Sequence, residues 1–381
     1  MKKDRKKVVN VPNLRFAGFE GEWQEMLLRD IAVKISKKNA DKNIDVVFSN
    51  SATQGIVLQS EYFDKDIANK ENLNGYYVVE PYDFVYNPRL SSSAEVGAMS
   101  VNHTKLTGLV SPLYTVFRLS SQDVEVSFLE YIFKSKVWHN HMRSIANYGA
   151  RDDRMNIRSD DFFALPLLVP QNKEQKKIAH LMQLLDDRIS TQMKIIEKLE
   201  SLIKGVAHSL IKNGKANIQI KDCLNCFSST LMESMIPENS DGKYPVYGAI
   251  GIIGYMNENT INTDAILIIK DGASVGRVQY AEGKYSVTGT LNYLTPKDKT
   301  SLKYMYYCLQ LFNFDKYKVG SGIPHIYFKD YGHEYIYRPA LEKQKEIANV
   351  LSTIDEKLEI ERKILKKYIE QKKYLLGNLF I

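Results

Sequence analysis

The chain has 381 residues, with 52 Lys and Arg against 45 Asp and Glu, a net charge of +7 and a pI near 8.9. That length suits two or three domains, and the mild basic excess fits a polyanionic partner, because Lys and Arg bind phosphates and release counterions. Three cysteines (Cys223, Cys226 and Cys308) argue against a secreted disulfide framework, and the apolar run Ala265 to Ile269 is strand-sized, too short to span a membrane.

Taken in chain order, Met1 to Lys7 is rich in lysine and no long apolar region follows it, so it is not read as a secretory signal. A solvated basic tail is the expectation, and a phosphate-gripping arm the alternative. The protein is expected in the cytoplasm. Residues 24–169 form a first globular unit. Within it Leu28-Arg29-Asp30-Ile31 opens the fold, Tyr82 to Asn87 reads as a strand, and Val126 to Trp138 as a helix. Arg143, Arg151, Arg154 and Arg158 cluster with Asn147, Tyr148 and Asn156, and Gly149-Ala150 makes the stretch loop-like. Arg89 follows the Asn87-Pro88 turn beside Ser91-Ser92-Ser93. These residue types bind phosphates and the hydrogen-bonding edges of bases.

A long helix follows, at about 174–211, with the apolar seam Ile178, Met182, Leu185, Ile189, Gln192, Ile196, Leu199, Ile203, Val206, Leu210. The steps alternate four and three, the heptad spacing that keeps one stripe on a helix. A second globular unit, about 214–339, opens with Ile220-Lys221-Asp222-Cys223 and has short strand-like runs. Ala265 to Ile269 reads as a buried strand, Asp271-Gly272 as a turn, and Val275 to Tyr280 as a return strand containing Gly276. Glu282-Gly283 turns again before Tyr285 to Leu294, and Leu302 to Phe312 reads as a short helix. Lys270, Ser274 and Arg277 flank the glycine-containing hairpin, and Lys316-Tyr317-Lys318 leads to His325 and Tyr327 in the place of the first unit's arginine cluster. The second long helix, at about 342–380, carries the seam Ile347, Leu351, Ile354, Leu358, Glu361, Leu365, Tyr368, Lys372, Leu375, Leu379.

A shift of 169 positions superposes the two halves without a gap around the helices: Pro170 on Pro339, Gln175 on Gln344, Ile178-Ala179 on Ile347-Ala348 and Asp186 on Asp355. The same offset lays Ile157 to Phe162 on Ile326 to Tyr331, and it puts the polar seam residues Gln192 and Glu361 at one position. Two helices of roughly 57 Å, each with a stripe that must leave water, are expected to pack as a coiled coil. The alternative is that each docks on its own globular unit.

This plan of head, helix, head, helix resembles the specificity subunits of type I restriction–modification systems. The resemblance rests on Pro12 to Phe16 with Phe19 to Trp23, on Asp271-Gly272-Ala273 with Gly276, and on the repeated lead-in to each helix at Glu174-Gln175 and Lys343-Gln344. A Glu normally precedes that Gln in the family, so Lys343 departs from the pattern; one surface contact is expected to change. The resemblance implies an α+β fold. Two mixed α/β target-recognition domains, related by a pseudo-two-fold repeat, are separated by two long antiparallel coiled-coil helices. The implied division is a basic tail at 1–20, recognition domains at 21–170 and 214–339, and spacer helices at 171–213 and 340–381.

It further implies that each head reads one half of a split, asymmetric site on double-stranded DNA. Two methyltransferase subunits would dock on the helices, with Gln175, Ile178, Leu185, Gln344, Ile347 and Ile354 as candidate contacts. Restriction (motor) subunits would complete the complex. No cofactor is expected in this chain; S-adenosylmethionine, ATP and Mg2+ belong to the partners. No catalytic residue and no metal site are expected. Half-sites read from one face of B-DNA lie roughly 34 Å apart, a distance such helices can span.

Rival chemistry has partial outlines. Asp264 or Asp271 with Glu282-Gly283-Lys284 sketches a nuclease site, and Asn87-Pro88 is half of an amino-methyltransferase motif that Arg89 and Leu90 break. His139-Asn140-His141 and Cys223-Leu224-Asn225-Cys226 each lack a completing metal partner, and no Gly-Lys-Ser/Thr phosphate loop exists. The alternatives are a self-contained DNA nuclease or methyltransferase, and a coiled-coil adaptor that reads no DNA.

Overall fold

The computed structural model describes residues 10–62, 70–147, 153–236 and 242–381. The chain divides into two compact units, one made of the residues up to Ser190 with Lys366–Ile381, the other of Thr191–Leu365. Each unit holds one head and a portion of both long helices.

In the first head four strands form an antiparallel sheet: β1 (Ala32–Ile35), β2 (Phe84–Asn87), β3 (Ala98–Val101) and β4 (Thr115–Leu119), in the order β1-β4-β2-β3. Helix α1 (Val126–Lys134) packs on it, burying Phe128, Leu129, Tyr131, Ile132 and Phe133. The sequence reading carried this helix to Trp138. It stops at Lys134 because Ser135 turns extended and its hydroxyl donates back to the Ile132 carbonyl at 2.6 Å. Helix α2 (Asn172–Ala207) follows and ends in a π turn, His208–Lys212.

The second head repeats the plan with β5 (Leu224–Ser228), β6 (Ala265–Ile269), β7 (Val278–Ala281) and β8 (Leu291–Pro296), in the order β5-β8-β6-β7, all antiparallel. Helix α3 (Leu302–Gln310) takes the place of α1, and α4 (Leu341–Asn378) closes the chain. Every residue of β6 is buried, as a central strand covered on both faces requires.

Two expectations change here. The segment Val275 to Tyr280 is not one return strand. Asp271 to Arg277 is a loop, with Gly272 at φ 96° and Gly276 at φ 89°. A Cβ on Gly276 would meet the Phe314 Cβ at 2.7 Å, so the loop requires glycine there on two counts. Nor is Tyr285 to Leu294 one strand. Ser286–Val287 leaves the main sheet to pair in parallel with Tyr244–Gly248, and only Leu291–Pro296 returns to β6. Outside the shared sheets the heads differ. The first adds the pairs Phe48–Ser51 with Gly55–Leu58 and Tyr77–Val79 with Gly108–Val110. The second adds a three-stranded sheet built on Tyr244–Gly248.

Within the second unit α2 and α4 run antiparallel. Ile196, Ile203 and Leu358 form a small apolar cluster with Leu199, Ile354 and Leu365 against it. Gln192 donates to the Glu361 carboxylate at 2.5 Å and to its backbone carbonyl at 3.1 Å. The two polar seam residues thus satisfy each other, the arrangement that fixes register in a heptad seam. Within the first unit, Leu375, Leu379 and Phe380 at the end of α4 join the core that holds Ile178, Met182 and Leu185 of α2.

Candidate nucleic-acid interface

The scaffold that presents the reading surface is built twice from the same contacts. Gln175 accepts from the Glu125 N–H at 2.9 Å and donates to the carbonyls of Asp123 and Pro170, each at 2.8 Å. Gln344 accepts from the Ser301 N–H at 2.9 Å and donates to Lys299 at 3.1 Å and Pro339 at 2.8 Å. Glu125 and Ser301 are the residues that cap α1 and α3, so each glutamine ties the long helix to the free amide at the start of its head's helix. The tyrosine hydroxyls then repeat the join, Tyr131 to Asp186 at 2.9 Å and Tyr307 to Asp355 at 2.7 Å. Burial, and then the neighbouring carboxylate, push both phenols well above their ordinary range, so both stay donors. Burial also raises the Asp355 carboxyl, against the Tyr307 bond that favours its charged form.

These contacts correct the residues expected to dock a partner. Gln175 and Gln344 are each 1% exposed, Ile178, Leu185 and Ile347 are buried, and Ile354 is half-buried in the helix seam. Five of the six are buried inside the chain, and Ile354 keeps part of its surface open. The lead-in motif also hides a difference. Glu174 is 1% exposed and forms a two-pronged pair with Arg15, at 2.8 Å on each oxygen. Arg15 belongs to a segment pinned by Leu14 N–H donating to Asn378 and Trp23 N–H donating to Asn10. Lys343, in the matching place, is exposed and pairs with Glu346 at 2.9 Å.

The candidate contact residues gather at the end of the central strand in each head. In the first, Arg89 faces Arg154 across an antiparallel bridge, and Asn147 faces Asn156 across a second. Asp153 lies 3.9 Å from Arg89 and 3.8 Å from Arg154. Arg143 is occupied elsewhere, by Glu95 at 2.6 Å, a carboxylate that Lys136 shares and that both cations hold below its usual range. Arg158 precedes the helix Ser159–Phe163 and lies 3.9 Å from Asp161. Tyr148 and Arg151 lie outside the described residues.

In the second head the loop from Lys270 through Ser274 to Arg277 meets His325. Asp271 bridges His325, and Val319 bridges it from the other side. The Asp271 carboxylate is 2.5 Å from the His325 Nδ1. Tyr327 is exposed beside this crossing, with Lys329 5.3 Å above its ring. Lys318 pairs with Asp315 at 2.6 Å, and Lys316 with Glu334 at 2.9 Å, so Lys316 and Arg143 both sit in established ion pairs.

The rival chemistry meets other roles. Asp264 accepts from the Gly283 N–H at 3.0 Å and so closes the hairpin tip that includes Glu282. Burial pushes the Cys226 thiol up to about 11 and the Cys308 thiol up to about 12, away from the thiolate that binds metal. Among the described residues no group of three or more His, Cys, Asp or Glu is placed to hold a metal ion, and no helix is long and apolar enough to cross a membrane.

Two heads with one scaffold and different exposed side chains, carried on heptad-paired helices, define a two-headed recognition protein. Residues 213–371 match the model of the type I restriction modification DNA specificity domain. Over most of its length the chain is similar to type I specificity subunits. A type I specificity subunit of Mycoplasma pneumoniae is 24% identical over 290 residues, covering 70% of this chain and 75% of the relative. One from Mycoplasma genitalium is 25% identical over 287 residues, covering 70% and 73%. The crystal structure of a type I restriction–modification S subunit from M. genitalium has the same fold, with a TM-score of 0.64 at 18% identity, covering 97% of this chain and 99% of that one.

Proposed function

We propose that this chain reads a bipartite, asymmetric site on double-stranded DNA, one half per head, as the recognition subunit of a type I restriction–modification complex. The observation that carries this reading is the twice-built scaffold. The joints Gln175–Glu125 and Gln344–Ser301 are the same, whereas the exposed crossing holds Arg89 and Arg154 in one head and Asp271 and His325 in the other. Equal scaffolds with unequal faces suit one task performed on two different sequences. Phosphate contacts come from Lys270, Arg277 and Arg158, and the crossings reach base edges.

In this reading the chain supplies recognition and no catalysis. Two methyltransferase subunits dock on the outward faces of α2 and α4, not on the buried seam. Restriction subunits complete the assembly in the cytoplasm, and the partners bring S-adenosylmethionine, ATP and Mg2+. The helices set the spacing between half-sites. The test is salt-dependent binding of duplex DNA by the chain with and without its methyltransferase subunits. The reading predicts affinity that falls linearly in log–log form with salt and sequence preference in the complex. Deleting one heptad from each helix changes the preferred half-site spacing. Preference that is absent, or spacing that survives the deletion, defeats the reading.

A further inference from the structure

The two crossings have one backbone geometry. In the first head the Leu90 N–H donates to Asp153 at 2.8 Å and the Met155 N–H to Pro88 at 3.0 Å, which brackets the facing pair Arg89 and Arg154. In the second the Gly272 N–H donates to Pro324 at 3.0 Å and the Ile326 N–H to Lys270 at 3.0 Å, bracketing Asp271 and His325 in the same way. The same two backbone positions therefore hold two guanidiniums in one head and a carboxylate with an imidazole in the other. Within each head the scaffold holds the backbone here, and the side chains stay open. Arg89 is 67% exposed, Arg154 33% and His325 37%.

The chemistry of the two crossings is complementary. Arg89 and Arg154 share the single carboxylate of Asp153 at 3.9 and 3.8 Å, so most of their N–H donors are unspent. Two like charges at one bridge seek an acceptor-rich edge. In the second head Asp271 engages the His325 Nδ1, which places a proton there, and in the neutral imidazole Nε2 is then an acceptor. That Nε2 and the second Asp271 oxygen have no hydrogen-bond partner among the described residues. Lys270 and Arg277 lie on the same loop as Asp271 and bring the positive charge that an acidic side chain needs beside phosphates.

We infer that these crossings are the base-reading elements of the two heads and that they read opposite patterns. Arg89 and Arg154 take a guanine, whose O6 and N7 both accept. The Asp271–His325 pair takes a base that offers an amino group, the N6 of adenine or the N4 of cytosine. Asp271 acts partly as a positioning residue, because it fixes which face of the imidazole reaches the DNA. The inference rests on the proposed recognition of a split site.

The test uses the complex of the full chain with its methyltransferase subunits, selecting from a library of randomised duplexes at fixed salt. Wild type is compared with Arg154→Ala, Arg89→Ala, Asp271→Asn and His325→Asn, each checked for an unchanged thermal midpoint. The arginine variants are expected to lose ~10-fold discrimination for guanine at one position of one half-site. Asp271→Asn and His325→Asn are expected to lose discrimination of the same size at one position of the other half, with the first half untouched. Asp271→Asn, which gains a donor, is expected to shift toward guanine or thymine. If Asp271→Asn fails to fold, His325→Asn decides alone. Folded variants that keep every wild-type preference overturn the inference. So does an affinity loss equal for all sequences, which marks phosphate contacts only. A wild-type complex that selects no split site overturns the recognition reading itself, and this inference with it.

Discussion

The first and second heads share a four-stranded antiparallel sheet, a helix capped by a glutamine from the long helix, and a tyrosine that reaches an aspartate on that helix. They part in two places. The first head is strapped by Arg15 on a buried Glu174, where the second has an exposed Lys343. The crossing at the end of the central strand carries Arg89 and Arg154 in one, Asp271 and His325 in the other. The contacts held in common are buried and polar, so they cost stability when one partner changes alone, and they fix how each head is mounted. The divergent positions of the crossing are half-buried to exposed and carry different side chains in the two heads. Duplication with this division of labour lets one mounting carry two specificities.

The largest effect that would sharpen the comparison lies in the strap. Arg15→Ala leaves Glu174 buried and unpaired and is expected to cost about 3 kcal/mol in chemical unfolding. Lys343→Ala, at the matching place, should leave the unfolding midpoint unmoved. Equal effects would mean that the two lead-ins are mounted alike. Next come the glutamine joints. Gln175→Ala and Gln344→Ala each strand a buried capping amide and two carbonyls, for an expected loss of about 1–3 kcal/mol each. A loss confined to one head would break the claim of a common mounting.

The tyrosines separate the heads again, by less. Asp186 also has Lys372 and Lys134 beside it, whereas burial raises the Asp355 carboxyl and Tyr307 is the bond that offsets this. Tyr307→Phe is expected to cost about 1.5 kcal/mol, and Tyr131→Phe less. Because the folded value of Asp355 lies above its ordinary one, its contribution is present at low pH and is lost as pH rises through that raised value. The Tyr307→Phe defect should therefore be larger at pH 7 than at pH 4, measured by thermal unfolding at both. The smallest effect is at the seam. The Gln192 bond holds the Glu361 carboxyl below its usual range, so this stabilisation is present at neutral pH and fades as pH falls through the lowered value. Gln192→Leu should remove that acid dependence.

The long helices were legible because heptad spacing and the 169-residue repeat are local, periodic signals. The buried strand Ala265–Ile269 was legible as a short unbroken apolar run bounded by a turn. The candidate contact residues were partly legible. Arg89, Arg154, Lys270 and His325 do come together in their own heads, while Arg143 and Lys316 turn out to be held by Glu95 and Glu334. Gln175 and Gln344, expected at a partner surface, are buried caps within the chain. A repeated polar residue at a helix start marks either a docking surface or an internal cap, and only burial separates the two. The joints Tyr131–Asp186 and Tyr307–Asp355 were hidden because the heads differ in length, so the tyrosines fall outside the register that aligned the aspartates. Val275 to Arg277 resembled the start of a strand because Gly276 hides its left-handed backbone from any alternation pattern.

The most direct test of the central claim is a map of methylated bases in cells that co-express this chain with its methyltransferase subunit. The account predicts a split, asymmetric motif that appears only with this chain, and whose two halves respond separately to Arg154→Ala and His325→Asn. A partner active with another specificity chain that gains no new motif here, or gains a contiguous symmetric one, would contradict it.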